Sequence, residues 1–323
     1  MITLAIESTA HTWGIAILNN EKILANERQT FTTEKGGMIL NEVADHHKEY
    51  KEIVLKQALK KAKKTLKQID LIAFSNAPGL APSLIVGRDF AKELAQNKSI
   101  VGVNHIVAHL EIGLLTTKAR DPIFVFTSGA NTQIIAHEGG KYRVFGEALS
   151  IAVGNAFDKL GRELELGFPA GPKIEQIAKK GKYIELPYRV KGMDVDFSGI
   201  VTKATQLYKR GMASKEDICF SFQETCFAML AEVTERALAH CEKDEILLIG
   251  GVAANKRFSN MLNTMAKERN AKSYTVPMEY AGDNAAMIGY LGYLQYKARK
   301  ESINPIEFYP RQRIDDVVTF WKD

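Results

Sequence analysis

The amino-acid sequence predicts an α/β fold built from two related halves. Apolar strand patterns alternate with amphipathic helical patterns along most of the 323 residues, which is typical of layered α/β proteins. Each half also begins with a strand, a small polar turn and a second strand, and this recurrence indicates an internal duplication. Hydrophobic residues make up 46% of the chain and charged residues 25%, so the composition supports a packed core.

The first half opens with a predicted β-hairpin. The apolar run Leu4–Ile6 leads into the turn Glu7–Ala10, and a second apolar run follows at Trp13–Leu18. After the hairpin, apolar positions at helical spacing predict a lysine-rich amphipathic helix over Asp45–Gln68. This half continues with the strand Leu71–Ser75, the helix Val86–Gln96 and the strand Ile100–Val103.

The second half repeats the hairpin and is then interrupted by a predicted helical insertion. Ile123–Phe126 is a predicted strand, Thr127–Thr132 forms the turn, and Gln133–His137 is the return strand. A predominantly helical region then covers about 156–243. The half closes with the strand Glu245–Ile249 and the helix Asp283–Lys300.

These elements divide the chain into two predicted lobes and a tail. The N-terminal lobe is expected at 1–121, and the C-terminal lobe at 122–300 carries the insertion. The tail at 301–323 is expected to return to the N-terminal lobe. Because the sequence contains no low-complexity linker between the halves, we expect them to pack around a cleft.

The composition excludes several classes of protein. The three cysteines, Cys219, Cys226 and Cys241, are too few for a disulfide framework, and we expect core thiols in a reducing cytoplasm. The first residues lack the pattern of a signal peptide, and no apolar stretch approaches the roughly 20 residues of a membrane span. The net charge of +5 permits a nucleic-acid partner without requiring one.

A pair of histidines is the first candidate for chemistry. His105 and His109 are spaced i, i+4, which in a helix places both imidazoles on one face, able to share a metal ion. No glutamate follows the first histidine, so the HExxH protease signature is absent. Asp283, in a glycine-containing turn, is a candidate third ligand. The alternatives are a structural histidine pair and an ordinary helix N-cap at Asp283.

Glycine-rich turns are the second candidate. Ser128–Asn131 follows a strand, and Gly250–Asn255 joins a strand to a helix, so backbone N–H groups there can approach phosphate oxygens. Neither turn matches the P-loop or GxGxxG pattern, and either alone is more often a tight connection. Together with the turn Glu7–Ala10, they resemble the nucleotide-binding turns of the actin-like ATPase (ASKHA) superfamily.

A third cluster follows the second hairpin. Asp158 and Glu175 can bind hydroxyl or ammonium groups, and Gly171 permits the close approach of a ligand. The structural alternative is a helix cap and a loop containing proline and glycine. The neighbouring His46 and His47 point about 100° apart on a helix, so they are poor joint ligands and we interpret them as structural.

Nine segments together resemble the tRNA threonylcarbamoyladenosine transferase family, named TsaD in bacteria and found as the catalytic subunit of the KEOPS complex in archaea and eukaryotes. They occur in the family's order and run through nearly the whole chain, and their amino-acid sequences are similar to those of archaeal members. Older annotation of this family was O-sialoglycoprotein endopeptidase. The segments are Ala5–Ala10, Ala73–Gly87, Gly102–Glu111, Ser128–Gln133, Gly154–Lys159, Phe168–Glu175, Asp196–Gly199, Gly250–Asn255 and Gly282–Gly289.

The resemblance implies an actin-like fold with two duplicated lobes around a nucleotide cleft, and transfer of a threonylcarbamoyl group to tRNA. The implied donor is threonylcarbamoyl-adenylate, with ATP as the alternative bound nucleotide. On the family's pattern, His105, His109 and Asp283 hold one divalent iron or zinc ion. The implied donor-site residues are Phe126, Thr127, Ser128, Gly129, Ala130, Asp158, Gly171, Glu175 and Asn255.

Three features depart from the family's pattern. The segment Gly36–Asn41 lacks the His-Pro usually found before the His-His pair, so we assign no function to it. The family often has a tyrosine at the position of Phe126, whose hydroxyl can approach the metal, and phenylalanine removes that ligand. The family's Ser-Gly-Gly-Asn turn carries Ala130 here in place of its second glycine, and the extra methyl group is expected to crowd the turn slightly.

The resemblance also implies partners. These are a tRNA substrate and KEOPS-type accessory subunits, namely a small dimerising subunit, a small kinase or ATPase that is sometimes fused to the chain, and another small protein. Given a tRNA substrate, the lysine-rich face of the Asp45–Gln68 helix is a candidate contact for the RNA backbone or a docking surface for a partner. A solvated helix face is the alternative.

Three other functions remain open on the residues alone. An actin-fold small-molecule kinase or ATPase fits the glycine-rich turns but leaves the histidine pair unexplained. A metallopeptidase is disfavoured by the missing glutamate of HExxH. A non-catalytic subunit that binds nucleotide as a scaffold is the fourth possibility.

Overall fold

The computed structural model describes residues 1–32, 39–303 and 306–322. The chain forms two compact units. Unit 1 comprises Met1–Thr116, Gly139–Tyr142 and Asp283–Asp323, and unit 2 comprises Thr117–Glu138 and Arg143–Gly282. The predicted lobe boundaries, after residues 121 and 300, stay predictions.

The strands form two five-stranded sheets and a short hairpin. The first sheet has the order β3-β2-β1-β4-β5, and the second has the order β12-β11-β6-β7-β8. The bounds of the strands are β1 Ile2–Glu7, β2 Thr12–Asn19, β3 Lys22–Thr30, β4 Leu71–Ala77, β5 Ser99–Asn104, β6 Ile123–Thr127, β7 Thr132–Glu138, β8 Lys141–Glu147, β9 Val190–Lys191, β10 Asp194–Val195, β11 Glu245–Ile249 and β12 Lys272–Thr275.

The helices connect and cover these strands. Short 3-10 turns at Leu66–Gln68, Gly251–Ala254 and Ile314–Asp316 accompany them. The bounds of the helices are α1 Leu40–Ala62, α2 Ala81–Ala95, α3 His105–Thr116, α4 Val153–Glu163, α5 Gly171–Ala178, α6 Ser198–Lys209, α7 Lys215–His240, α8 Lys256–Glu268, α9 Met278–Ala281 and α10 Ala285–Arg299. Among the described residues, none of these helices is both long and apolar enough to cross a membrane.

The predicted hairpins at the start of each half are confirmed. β1 and β2 pair antiparallel with Glu7 opposite Gly14, and β6 and β7 pair antiparallel with Thr127 opposite Thr132. In each sheet the first strand of the hairpin also pairs in parallel with a later strand of its unit, β1 with β4 and β6 with β11. The α/β prediction and the recurrence therefore hold at the level of strand order.

Unit 1 packs a core of aliphatic and aromatic side chains between the sheet and its helices. Trp13 lies at the centre of this core, with ring centroids 5.3 Å from His47 and 5.8 Å from Phe90. His47 is fully buried, and burial together with the neighbouring His46 lowers its pKa to about 4. A neutral imidazole packed against an indole agrees with the structural interpretation of this pair.

Three helices predicted from the sequence have different bounds in the structure. The helix predicted over Val86–Gln96 begins at Ala81 and ends at Ala95, because Pro82 lies in its first turn, where proline is tolerated. The helix predicted over Asp45–Gln68 begins at Leu40 and ends at Ala62, because Lys63 adopts the left-handed conformation with φ of 51° and stops it. The helix predicted from Asp283 begins at Ala285. Asn284 is its N-cap, and its side chain accepts a hydrogen bond from the Met287 N–H.

Unit 2 contains the predicted insertion, which is predominantly helical and also holds the β9–β10 hairpin and the irregular segment 181–189. Helices α4 to α7 lie between β8 and β11, and their aromatic side chains form a stacked core. Phe227 stacks on Phe157 with ring centroids 5.4 Å apart and on Phe258 at 4.6 Å. Phe222 contacts Phe157 edge-on at 5.1 Å. Cys219 and Cys226 are buried in α7 as predicted, whereas Cys241 is partly exposed.

Candidate metal centre and nucleotide-binding turns

The two histidines lie in the first turns of α3, as the spacing predicts. β5 ends at Asn104, whose side-chain oxygen accepts hydrogen bonds from the N–H groups of Ile106 at 3.0 Å and Val107 at 3.2 Å. This cap starts the helix at His105, immediately after the strand. His105 and His109 therefore share one helix face, and both are buried.

Asp283 meets both imidazoles. Its Oδ1 lies 3.4 Å from His105 Nε2 and 3.3 Å from His109 Nε2, and the ligand atoms of the three residues all lie within 4.8 Å of one another. Arg28 donates a hydrogen bond to the backbone carbonyl of Asp283 at 3.1 Å, which fixes the turn before α10. His11 Nδ1 lies 3.9 Å from the other carboxylate oxygen. The structure thus brings together the three predicted ligands within unit 1.

Glu7 orients the His105 ring through its Nδ1 atom. The Glu7 carboxylate is fully buried at the end of β1 and lies 2.9 Å from His105 Nδ1. Thr9 donates its N–H to Glu7 at 2.7 Å and its hydroxyl at 2.5 Å, which holds the carboxylate in place. A hydrogen bond from Nδ1 to a carboxylate leaves Nε2 as the free ligand atom, which is the arrangement found at most metal-binding histidines.

The charges of this cluster favour a cation. Burial lowers the pKa of His105, but Glu7 and Asp283 outweigh burial and raise this pKa to about 10. Burial also raises the pKa of Asp283, yet the adjoining His105 and His109 hold it well below the usual range. Two carboxylates around buried imidazoles therefore attract positive charge, which a divalent ion supplies. Two imidazole nitrogens and one carboxylate oxygen suit zinc or ferrous iron.

The turn between β6 and β7 is the first of the candidate nucleotide-binding turns in unit 2. The Ser128 N–H donates to the Asn131 carbonyl at 2.8 Å, and the Asn131 N–H donates to the Ser128 hydroxyl at 3.0 Å. The start of α4 lies directly against this turn, because a Cβ on Gly154 would come 2.5 Å from the Ser128 carbonyl oxygen. Gly129 and Ala130 are exposed, whereas Phe126 and Thr127 are buried in β6.

The turn after β11 packs against the same strand. Gly250 has a φ of +97°, and a Cβ there would lie 2.2 Å from the Thr127 carbonyl oxygen, so glycine is required on both counts. At Gly251 and at Gly171, an added Cβ would meet no described atom within 4 Å beyond the immediate chain. These two glycines therefore border open space, which allows a ligand to approach their backbone.

Three of the residues predicted for the donor site hold helix ends of unit 2, namely Asp158, Glu175 and Asn255. Asp158 accepts the Ala170 N–H at 2.8 Å before α5, and Glu175 accepts the Lys256 N–H at 2.9 Å at the start of α8. Asn255 caps α8 through its side-chain oxygen. Their structural interpretation is thus supported, and their contact with a nucleotide stays a prediction.

The roles of Glu7 and Thr9 are not among those predicted from the sequence. Their turn resembled the nucleotide-binding turns, and the structure brings both side chains to His105. The available signal was a carboxylate at the end of an apolar strand, where an unpaired charge is costly and a partner is required. The partner lies in a strand–helix junction far along the chain, so spacing could not identify it.

The two sheets and their connections define an actin-like ATPase fold. HypF of T. kodakarensis has a similar structure, with a TM-score of 0.65, 16% identity and coverage of 92% of this chain and 48% of that one. The activator of the 2-hydroxyisocaproyl-CoA dehydratase from Clostridium difficile, solved with bound ADPNP, gives a TM-score of 0.56 at 13% identity, covering 93% and 97% of the two chains. At such identities these similarities define the fold alone.

Sequence comparison defines the family within this fold. The model of TsaD, tRNA N6-adenosine threonylcarbamoyltransferase, matches residues 22–290. The protein of that name from Thermococcus sibiricus is 54% identical over 92% of this chain and 93% of its own length. The protein of that name from Thermococcus kodakarensis is 50% identical over 99% of this chain and 100% of its own length. The chain belongs to the tRNA N6-adenosine threonylcarbamoyltransferase family, which confirms the resemblance and does not favour the kinase alternative.

Some relatives are longer than this chain. The probable bifunctional tRNA threonylcarbamoyladenosine biosynthesis protein of Methanocaldococcus jannaschii is 47% identical over 99% of this chain, which corresponds to 60% of that protein. The corresponding protein of Thermoplasma acidophilum is 48% identical, with 61% of its length covered.

Proposed function

We propose that this chain transfers the threonylcarbamoyl group from threonylcarbamoyl-adenylate to the exocyclic amine of the adenosine 3′ of the anticodon. The acceptors are tRNAs that read codons beginning with A, and the product is the modified base t6A. The observation that carries this proposal is the buried cluster of His105, His109 and Asp283, in a chain of this family. A small-molecule kinase of the same fold would have no use for that cluster.

The reaction needs little covalent chemistry from the protein. The adenosine amine attacks the carbonyl carbon of the mixed anhydride, the bond to the phosphate oxygen breaks, and AMP leaves as the amine loses a proton. When bound, a divalent iron or zinc ion supplies a Lewis acid that stabilises the negative charge of the carbonyl oxygen and orients the threonyl carboxylate.

The residues of unit 1 would hold one such ion. His105 and His109 offer their Nε2 atoms and Asp283 its Oδ1. Glu7 keeps the His105 ring oriented by accepting the Nδ1 proton, and the backbone contact from Arg28 fixes the turn that carries Asp283. These contacts hold the metal-ligating nitrogen and oxygen atoms in position before a metal ion binds.

The residues of unit 2 would bind the nucleotide part of the donor. Exposed backbone at Gly129 and Ala130 and the open space beside Gly171 and Gly251 support phosphate and adenosine contacts there. Phe126 and Thr127 would act from within β6 by fixing the start of the turn. Asp158, Glu175 and Asn255 would then set the helix ends around the same ligand.

We further propose that the chain acts in the cytoplasm with KEOPS-type accessory subunits. These are a small dimerising subunit, a small kinase or ATPase and another small protein. The bifunctional relatives support a partner that is fused in some proteins, because their names and additional length indicate a second activity in the same pathway. The lysine-rich face of α1 is our proposed contact for the tRNA backbone or for a partner.

The test is reconstitution with a matched control. The chain, its accessory subunits, the adenylate-forming enzyme, tRNA, threonine, bicarbonate and ATP should yield t6A, and His109→Ala should abolish it. Val54→Ala, in the core of unit 1 on α1, should lower stability and retain product formation. Normal product formation by the His109 variant would overturn the role of the metal centre.

A further inference from the structure

A second buried carboxylate lies on the helix that carries the histidines. Glu111 is 3% exposed and follows His109 by two residues, so it projects about 200° around the helix from that ligand. It therefore belongs to the face of α3 opposite His109. None of the roles proposed above uses it, and a buried carboxylate is costly unless donors surround it.

The donors to Glu111 come largely from the C-terminal tail. Trp321 donates its indole N–H at 2.9 Å, and the Lys322 ammonium lies 3.5 Å away, both at the same Oε1 atom. The Tyr142 hydroxyl donates to this oxygen as well, at 2.7 Å. Lys322 also lies over the Tyr142 ring, 5.3 Å from its centroid, so these four side chains form one contiguous cluster within unit 1.

The tail makes two further contacts through the residues just before Trp321. Thr319 donates its N–H at 3.0 Å and its hydroxyl at 2.8 Å to the Gly140 carbonyl, and Thr319 is 2% exposed. The guanidinium of Arg299, at the end of α10, lies 4.0 Å from the centroid of the Phe320 ring. The tail is therefore a docked segment with directional contacts rather than a loosely packed end.

We propose that Glu111, Trp321 and Lys322 form a clamp that positions α3, so that metal affinity depends on a tail that supplies no ligand. The clamp fixes the helix from the face opposite His109, while Glu7 fixes His105 from β1. Glu111 is thus a positioning residue. The inference rests on the metal centre proposed above. It makes that centre depend on the tail as well as on β1.

The size of the effect follows from the distance of the clamp from the ligands. A partner bonded directly to a metal ligand is worth about 10- to 100-fold in metal affinity. The clamp acts one step further away, through the helix backbone, so we expect a smaller loss, about 3- to 10-fold, when one of its hydrogen bonds is removed.

The test is a Co²⁺ titration of the full chain followed by visible absorption, without tRNA or partners. Trp321→Phe keeps the ring and removes the N–H, and Lys322→Gln removes the charge at a partly exposed position, so both variants should fold. We expect weaker Co²⁺ binding and a shifted spectrum for each, with the larger change for Trp321→Phe. Glu111→Gln should retain affinity better than Glu111→Ala, because its amide oxygen still accepts hydrogen bonds.

Val54→Ala is the control, because α1 packs on β2, β3 and α2 within the same unit and its loss of stability is unrelated to the clamp. The clamp would be overturned if Trp321→Phe and Lys322→Gln bind Co²⁺ with the affinity of the wild type. It would also be overturned if their Co²⁺ affinity falls only as far as that of Val54→Ala. Failure of the wild-type chain to bind Co²⁺ would instead overturn the metal centre itself, so the two results are distinguishable.

Discussion

The first turns of unit 1 and unit 2 are built alike and carry different chemistry. β1 and β2 are joined by residues 8–11, and β6 and β7 by the equally long 128–131. In each unit a glycine after the neighbouring parallel strand approaches the turn: a Cβ on Gly79 would lie 2.6 Å from the Thr9 carbonyl oxygen, and one on Gly250 would lie 2.2 Å from that of Thr127. The backbone plan is therefore repeated.

The difference lies in the last residue of the first strand. In unit 1 this residue is Glu7, whose buried carboxylate reaches His105. In unit 2 it is Thr127, whose hydroxyl lies 3.4 Å from the Ile249 carbonyl and carries no charge. The comparison teaches that the repeated fold sets where a turn lies, while the side chain at the strand end decides whether a buried charge lies beside that turn.

The largest expected effect is the loss of the metal from unit 1 alone. Asp283→Ala removes a predicted ligand and the only carboxylate in that ligand set. Loss of a residue that hydrogen-bonds to a metal ligand lowers metal affinity by up to about 100-fold, and we expect a larger loss here because a ligand itself is removed. Nucleotide binding should be retained. Metal content and ATP affinity, measured on the same preparation, check this. Equal loss of both would show that the two units do not divide these roles.

A paired substitution at the equivalent strand ends sharpens the comparison. Glu7→Gln should lower metal affinity about 10- to 100-fold, because it removes the charge that orients His105. Thr127→Val, at the matching position of unit 2, should leave metal affinity unchanged. Calorimetric titration of both variants with Zn²⁺ measures the difference, and similar affinities would contradict the role given to Glu7.

Two adjacent glycines in unit 2 provide the next test. Gly250→Ala forces a Cβ against the Thr127 carbonyl oxygen at positive φ, so it should lower the free energy of unfolding by about 1–3 kcal/mol and weaken nucleotide binding. Gly251→Ala, where an added Cβ meets open space, should leave stability within about 0.5 kcal/mol. Chemical denaturation and ATP affinity distinguish the two. Equal destabilisation would contradict the close packing.

The smallest expected effect concerns charge on the surface. Replacing the exposed Lys56 and Lys60 of α1 and Lys67 of the 3-10 turn that follows it by glutamine should reduce the salt dependence of tRNA binding, by up to about 2 in slope if each contacts a phosphate. The matched triple of exposed lysines in unit 2 should leave the slope unchanged; its members are Lys179, Lys267 and Lys272. An unchanged slope in the first triple would assign α1 to a protein partner or to solvent.

The repeating pattern of the fold was predictable because it is local. Alternation of apolar residues and short polar turns predicted both hairpins, and helical spacing predicted the shared face of His105 and His109. The choice of Asp283 as a third ligand was also available from its polar glycine turn. Each of these rests on residues that are close in sequence or on a residue type that metals prefer.

The other features of the site could not be predicted, because they depend on contacts between residues far apart in the sequence. Glu7 meets His105 through strand pairing and helix placement, and neither partner reveals the other in the sequence. The N-cap of α10 fell on Asn284 rather than on Asp283 because the Asp283 carboxylate faces the histidines. The tail reaches Glu111 through Trp321, a contact that a terminal sequence pattern does not encode.

The most direct test of the central claim is a metal titration of the reconstituted reaction. The chain is stripped with a chelator, combined with its partners, the adenylate-forming enzyme and tRNA, and supplied with increasing Fe²⁺ or Zn²⁺ while t6A is quantified. We predict that product formation is lost on stripping and returns with metal, saturating at about one ion per chain, because the described residues contain one His₂Asp ligand set. Full t6A formation by the stripped chain would contradict the account.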